Sequence, residues 1–131
     1  MDRTILLVDH ATRTRELMGS ILQMRGYTVL KSGDGRDALE RLRRGRPDLL
    51  IIEAMIPVQS GFEVCAAVRR DPNLKDLPIL MMSSLTRLLV RDDGHWRQHV
   101  TADEFLTRPF CLTDLLSSVE KLIGSAEALS R

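Results

Sequence analysis

The chain has 131 residues, 44% of them hydrophobic, 28% charged and only 4% aromatic, and its 19 Lys and Arg against 18 Asp and Glu leave a formal net charge of +1. That length predicts one compact domain burying roughly two-thirds of its unfolded surface, and the balance of charge excludes bulk attraction to nucleic acid or to an anionic membrane. No apolar run approaches the roughly 20 residues that cross a bilayer, and the run 5–8 is too short for an export signal, so a cytoplasmic protein that binds neither membrane nor nucleic acid directly is expected. Cys65 and Cys111 stand far apart and are expected to be reduced packing thiols.

The first element, at 4–9, contains Ile5-Leu6-Leu7-Val8, an unbroken apolar run of the kind that fits a strand covered on both faces. Residues 12–25 follow as a helix with Leu17, Ile21 and Leu22 on one face and Gly26 as its stop. A second strand, at 27–31, reads as an edge. The next helix, 34–44, is opened by Asp34, buries Ala38, Leu39 and Leu42, and is closed by Gly45 and Pro47. The strand at 48–53 is again continuously apolar (Leu49-Leu50-Ile51-Ile52), and the helix at 60–70 carries Phe62, Cys65, Ala66 and Val68 before Asp71-Pro72 ends it. A fourth apolar strand, 78–83, contains Ile79-Leu80-Met81-Met82. Between 84 and 102 a fourth helix of five belongs by position, but Asp92-Asp93-Gly94 interrupts Leu85, Leu88, Leu89 and Val90, so a short, irregular or broken helix is expected. An edge strand at 103–106 and a helix from 112 to about 126, with Leu112, Leu115, Leu116, Val119, Leu122 and Ile123 at helical spacing, complete the chain.

Strands alternating with helices predict a parallel sheet, and right-handed crossovers place the helices on both of its faces. In such doubly wound α/β folds, chemistry collects at the carboxyl ends of the strands. The rule selects Asp9-His10, Glu53, Ser83-Ser84 and Thr107-Arg108. The first strand is followed by Asp9-His10-Ala11-Thr12 rather than a glycine-rich phosphate loop, which argues against a dinucleotide or P-loop site.

Over residues 4–124 the sequence resembles the receiver domain of two-component response regulators. The resemblance rests on Ile5-Leu-Leu-Val-Asp9, on 48–57 with Gly61-Phe62-Glu63 after it, on 78–83, and on 102–110 with Thr107-Arg108-Pro109-Phe110. It implies a flavodoxin-like sheet of order 2-1-3-4-5, with a receiver-like domain over 1–126 and a short tail at 127–131. It also implies a phosphoryl-transfer site. In receivers an Asp ending the third strand accepts a phosphoryl group from a histidine kinase, and Mg²⁺ is held by that Asp and an acidic pair after the first strand. A Ser or Thr after the fourth strand and a Lys after the fifth contact the phosphoryl oxygens, and an aromatic residue in the fifth strand switches rotamer.

Carried over position by position, Asp9 keeps the first acid and His10 replaces the second; Glu53 stands at the phosphoacceptor position; Ser83 and Phe105 keep the switch pair; Arg108 replaces the Lys. Mg²⁺ prefers octahedral oxygen ligation, and an imidazole supplies nitrogen or a positive charge instead, so Mg²⁺ binding is expected to be weak or absent. The extra methylene of Glu53 moves its carboxylate by about 1.5 Å, and a misplacement of about 1 Å can cost about 10²-fold. Asp9 and Glu53 facing Arg108 and His10 approach neutrality without metal, with Arg108 forming a forked pair to one carboxylate. Glu53 either reaches toward Ser83 and holds an active-like state, or pairs with Arg108 and fixes an inactive one; a fixed site is favoured.

The leading expectation is a pseudo-receiver: a non-enzymatic, phosphorylation-independent interaction module for a histidine kinase, an output domain or a downstream regulator. Its expected surface, which also suits a homodimer, is made by the 85–100 segment, the fifth strand and the last helix. A receiver that still accepts phosphate through unusual site chemistry, or a small-ligand sensor using the same cleft, is the alternative. His95 and His99 lack the Glu of a zinc-protease helix and read as solvent-exposed polar residues. Trp96 reads as either a core cover or a partner anchor. Arg41, Arg43, Arg44 and Arg46 read as a solvated helix end favourable to the dipole, and Met18, Met24, Met55, Met81 and Met82 as packing residues.

Overall fold

Continuous burial along the apolar runs, on both faces of the sheet, builds the molecule. In the computed structural model, which describes residues 3–83 and 102–124, five parallel strands form one sheet: β1 (Thr4–Val8), β2 (Thr28–Ser32), β3 (Leu49–Glu53), β4 (Ile79–Ser83) and β5 (Glu104–Thr107). Their order is β2-β1-β3-β4-β5, with the two less apolar strands at the edges, as the sequence predicts. Four described helices connect or follow them: α1 (Thr12–Met24), α2 (Gly35–Arg44), α3 (Gly61–Arg70) and α4 (Leu112–Ile123). The expected irregular helix, His95, Trp96, His99 and the 127–131 tail lie outside the described residues.

Each central strand divides its side chains between two apolar layers, because successive side chains in a strand point to opposite faces. Leu6, Val8, Leu50, Ile52, Ile79 and Met81 pack with Ala38, Leu39, Leu42, Val64, Cys65 and Val68 of α2 and α3. Ile5, Leu7, Leu49, Ile51, Leu80 and Met82 pack with Met18 and Leu22 of α1 and with Leu115, Leu116, Val119 and Ile123 of α4. This two-sided covering explains why β1, β3 and β4 read as continuous apolar runs.

The caps explain where the helices start. Asp34 Oδ1 accepts the Asp37 N–H at 2.7 Å, and Ser60 and Glu63 form a reciprocal capping box at the start of α3. Gly26, at φ 96°, turns the chain out of α1. Among the described residues no helix is long and apolar enough to cross a membrane.

Several packing expectations need correction. The buried face of α1 is Met18, Gly19 and Leu22, so Leu17 points away from the sheet and is 59% exposed. Residues 17 and 18 differ by about 100° around a helix, and a stripe centred on Leu17 is therefore off by one position. Met24 and Met55 are exposed rather than packed, whereas Met18, Met81 and Met82 are core. Cys65 is buried in the α3 layer, but Cys111 is exposed at the start of α4 and is no packing residue; both are free thiols. Burial pushes the Cys65 thiol up to about 12.

Candidate active-site cleft and family

Parallel strands in register deliver their carboxyl ends to one edge of the sheet, and β1, β3 and β5 end there in charged residues. Asp9 directly follows β1, Glu53 is the last residue of β3, and Arg108 follows β5, whose Thr107 is in register with Ser83 at the end of β4. Asp9 continues the ladder by donating its N–H to Ser32 O at 3.1 Å, which fixes its side chain under the cleft. That side chain is fully buried. Its Oδ1 accepts the Ala11 N–H at 2.9 Å, and its Oδ2 accepts from Arg108 Nη2.

Glu53 is 7% exposed and meets the His10 imidazole and the Arg108 guanidinium. Its Oε1 lies 2.5 Å from His10 Nδ1 and accepts the His10 backbone N–H at 3.2 Å. Its Oε2 lies 3.6 Å from Arg108 Nη1, an ion pair longer than a hydrogen bond. The hydrogen bond and the charge of Glu53 raise the His10 pKa above its usual value of 6.5, Asp9 adds to the rise, and burial and Arg108 oppose it. His10, with its side chain 54% exposed, forms the outer wall of this arrangement.

Arg108 therefore does not fork onto one carboxylate, as the sequence suggests. It bridges two, with one terminal nitrogen toward each. A lysine offers one ammonium and cannot span the same two acceptors with fixed geometry. The Arg108–Pro109 peptide is cis. Phe105, in the switch-aromatic position, is half-buried and packs with the α2–α3 layer. Asp9, His10, Glu53 and Arg108 are thus drawn to one end of β1, β3 and β5, whereas Phe105 lies inside β5, in register with Met81.

Two further residues shape the cleft: Arg15, which no sequence signal singles out, and Gly61, which the sequence marks only as part of the Gly61-Phe62-Glu63 segment. Arg15, on the first turns of α1, donates from Nη1 to the Asp9 carbonyl at 2.7 Å and from Nη2 to Thr12 Oγ1 at 3.4 Å. Gly61 begins α3 against the Glu53 backbone: its N–H donates to Ala54 O at 2.8 Å, and a Cβ there would overlap the Glu53 carbonyl oxygen. An alanine at 61 would displace the strand end that carries Glu53. Only the close approach across the β3–α3 loop exposes that requirement.

Asp9, His10 and Glu53 each offer one ligand atom, all within 4.8 Å of one another. The donor set is nevertheless a poor match to Mg²⁺. It includes a nitrogen, and the carboxylate oxygens are already engaged by Arg108, His10 and the Ala11 amide. A hard cation gains little from imidazole and must displace the Arg108 guanidinium and the His10 ring to reach oxygen.

The family profile described as "Response regulator receiver domain" matches residues 5–120. The chain belongs to the response regulator receiver domain family. Response regulator MprA of Mycobacterium leprae (strain TN) is 36% identical over 119 residues, which are 91% of this chain and 50% of that protein. The chain thus spans about half the length of the curated relatives it matches. Among solved structures, the chemotaxis response regulator CheY4 of Vibrio cholerae is similar with a TM-score of 0.83 at 32% identity, covering 93% of this chain and 99% of that one. The receiver domain of the sensor histidine kinase PA1611 from Pseudomonas aeruginosa is similar with a TM-score of 0.82 at 25% identity, covering 95% and 100%. That structure is described as having a magnesium ion coordinated in its active-site cleft.

Proposed function

We propose that this receiver is a pseudo-receiver: it works as a phosphorylation-independent protein-interaction module in two-component signalling, with its cleft fixed by internal ion pairs and with no enzymatic role. The single observation that carries the reading is the bridge of Arg108 across Asp9 and Glu53. Phosphoryl transfer in this setting depends on a cation offsetting charge around an in-line geometry and on a precisely placed acceptor. Here the acids are already offset by side chains, and the acceptor position holds a longer carboxylate whose oxygens face His10 and Arg108. Of the two states open to Glu53, pairing with Arg108 favours the fixed one.

Mg²⁺ binding is accordingly weak or absent, and the site residues Asp9, His10, Glu53 and Arg108 serve to hold the cleft closed to a metal. A partner would be another signalling protein: a histidine kinase, an output domain or a downstream regulator. Leu17, Phe110 and Leu112 line a groove that reaches Arg108, and the exposure of Leu17 and Leu112 supports an interaction role.

Treatment with acetyl phosphate and Mg²⁺ followed by intact-mass measurement tests this reading. The expected result is no added mass on the wild-type chain. A phosphoryl adduct on the wild type that is lost in Glu53→Gln would overturn it in favour of a phosphate-accepting receiver.

A further inference from the structure

The pole of the sheet opposite the cleft carries a second concentration of charge. Arg43 and Arg44 end α2, Arg46 lies in the connection to β3, and Arg70 ends α3; all stand where β3 and β4 begin. A groove between α2 and α3 is lined by Leu39, Arg43, Ala67, Arg70, Asp71 and Leu74. An adjoining one brings Arg44, Arg46 and Asn73 to the same Arg43, Asp71 and Leu74. The shared residues make the two grooves one continuous arc around the end of α2.

The helix dipole does not account for this arc. Arg41 pairs with Asp37 at 2.9 Å and Arg44 with Glu40 at 3.7 Å, so the last turn of α2 already holds two anchored cations. Arg46 lies beyond the helix, past Gly45. Among the described residues Arg43, Arg46 and Arg70 have no carboxylate partner, and all three are exposed. Two neighbouring acids are engaged locally: Asp71 accepts the Asn73 N–H at 2.8 Å, and Asp48 accepts the Thr4 N–H at 2.7 Å. Arg43, Arg44, Arg46 and Arg70 stand with Glu40, Asp48 and Asp71, an excess of one positive charge. Like charges gathered on one surface repel one another, and a complementary anion relieves that repulsion.

We propose that this arc is a docking surface for an acidic protein segment. Guanidinium groups recognise carboxylates through paired N–H donors, and Arg43 and Arg70 flank a groove whose surface is mainly polar, with Leu39 and Leu74 buried beneath it. The observations favour a peptide over a nucleic acid. No aromatic side chain lines either groove to stack on a base, and Asp71 at the centre of the arc opposes a continuous run of phosphates.

Fluorescence anisotropy with the full chain tests the proposal, using a fluorescein-labelled peptide of Glu-Glu-Leu repeats as the probe and a labelled DNA duplex as the comparison. The expected result is peptide binding that weakens with added salt and falls about tenfold or more in Arg43→Glu/Arg70→Glu. Arg13→Glu/Arg25→Glu changes the net charge equally on and beside α1, and is expected to lose less than about threefold. If the reversed pair unfolds, Arg43→Gln/Arg70→Gln replaces it, with a smaller loss in the same direction. Equal losses in the arc and α1 variants would overturn the proposal, as would tighter binding of the duplex than of the peptide.

Discussion

Arg108 and Asp9, 99 residues apart in the chain, form an ion pair in which the carboxylate is wholly buried and the guanidinium is 27% exposed. Removing one partner of such a pair leaves an uncompensated charge where water cannot reach it. Arg108→Ala is therefore expected to lower stability by about 3 kcal/mol. Adding Asp9→Asn removes the stranded charge, so the double variant is expected to recover much of the loss, a coupling typical of residues in contact. Urea unfolding of the wild type, both single variants and the double variant measures it. A loss below about 1 kcal/mol in Arg108→Ala would show that Asp9 does not depend on the pair.

His10 gives the cleft a pH response of known sign. Its proton is held more tightly in the folded chain than in the unfolded one, chiefly by the hydrogen bond to Glu53. The stabilisation is fully present below the unfolded value near 6.5 and is lost as the pH rises through the raised folded value. Asp37, lowered chiefly by its hydrogen bond to Arg41, acts in a separate acidic window: its contribution is present above its usual value of 3.8 and fades as the pH falls through the folded value. Thermal unfolding across neutral and mildly alkaline pH is expected to show a fall in Tm that His10→Gln flattens. Because the imidazole is half-exposed, solvent screening keeps the effect modest. Parallel profiles for the two proteins would exclude His10 as its source.

The sheet was legible because the burial of β1, β3 and β4 on both faces leaves a local trace, an apolar run with no polar interruption. The same holds for the cap at Asp34, where the side chain meets a backbone amide only three residues on. The candidate cleft was legible as a set of positions, since parallel register carries strand ends together whatever residues occupy them. Its wiring was not. Whether Arg108 forks onto one acid or bridges two depends on how its side chain, reaching from the end of β5, settles between the carboxylates at the ends of β1 and β3, which no local pattern encodes. Arg15, and the packing role of Gly61, were not legible for the same reason, because their contacts with Asp9 and Glu53 cross from one element to another. Leu17 misled because an apolar residue beside the true face of a helix has the spacing of a core residue.

Val58 stores local strain in the loop that follows Glu53. It has φ 73°, in the left-handed region that β-branched residues avoid, and Gln59 donates its N–H to Pro57 O at 2.9 Å, closing a γ-turn around it. The same Pro57 carbonyl accepts the Gly35 N–H at 3.2 Å, so this turn braces the loop against the start of α2. The side chain is 68% exposed and contributes little burial to offset the strain. Val58→Asn tolerates the left-handed conformation without the unfolded-state entropy of glycine. It is expected to stabilise the chain by about 1 kcal/mol. A denaturation midpoint equal to or below that of the wild type would show that the turn is relaxed with valine in place.

Restoring the residues that receivers carry at three positions tests whether they are what keeps Mg²⁺ out. In the wild type, a cation must compete with Arg108 for Asp9 and with His10 for Glu53. Ligand binding to the folded state stabilises by about 2.7 kcal/mol at a concentration 100 times Kd and by almost nothing below Kd. Thermal unfolding of the wild type is therefore expected to shift by less than about 1 °C in 10 mM Mg²⁺. The variant His10→Asp/Glu53→Asp/Arg108→Lys replaces the imidazole with an oxygen donor, shortens the acceptor and removes the bridging fork. Without metal it gathers three carboxylates against one ammonium, and like-charge repulsion is expected to lower its Tm below that of the wild type. Adding Mg²⁺ is expected to reverse that loss by several degrees, with Ca²⁺ and monovalent salt at matched ionic strength as controls for screening. A comparable Mg²⁺ shift in the wild type would show that His10 and Arg108 yield to the metal, and the reading of a cleft closed by its own ion pairs would fail.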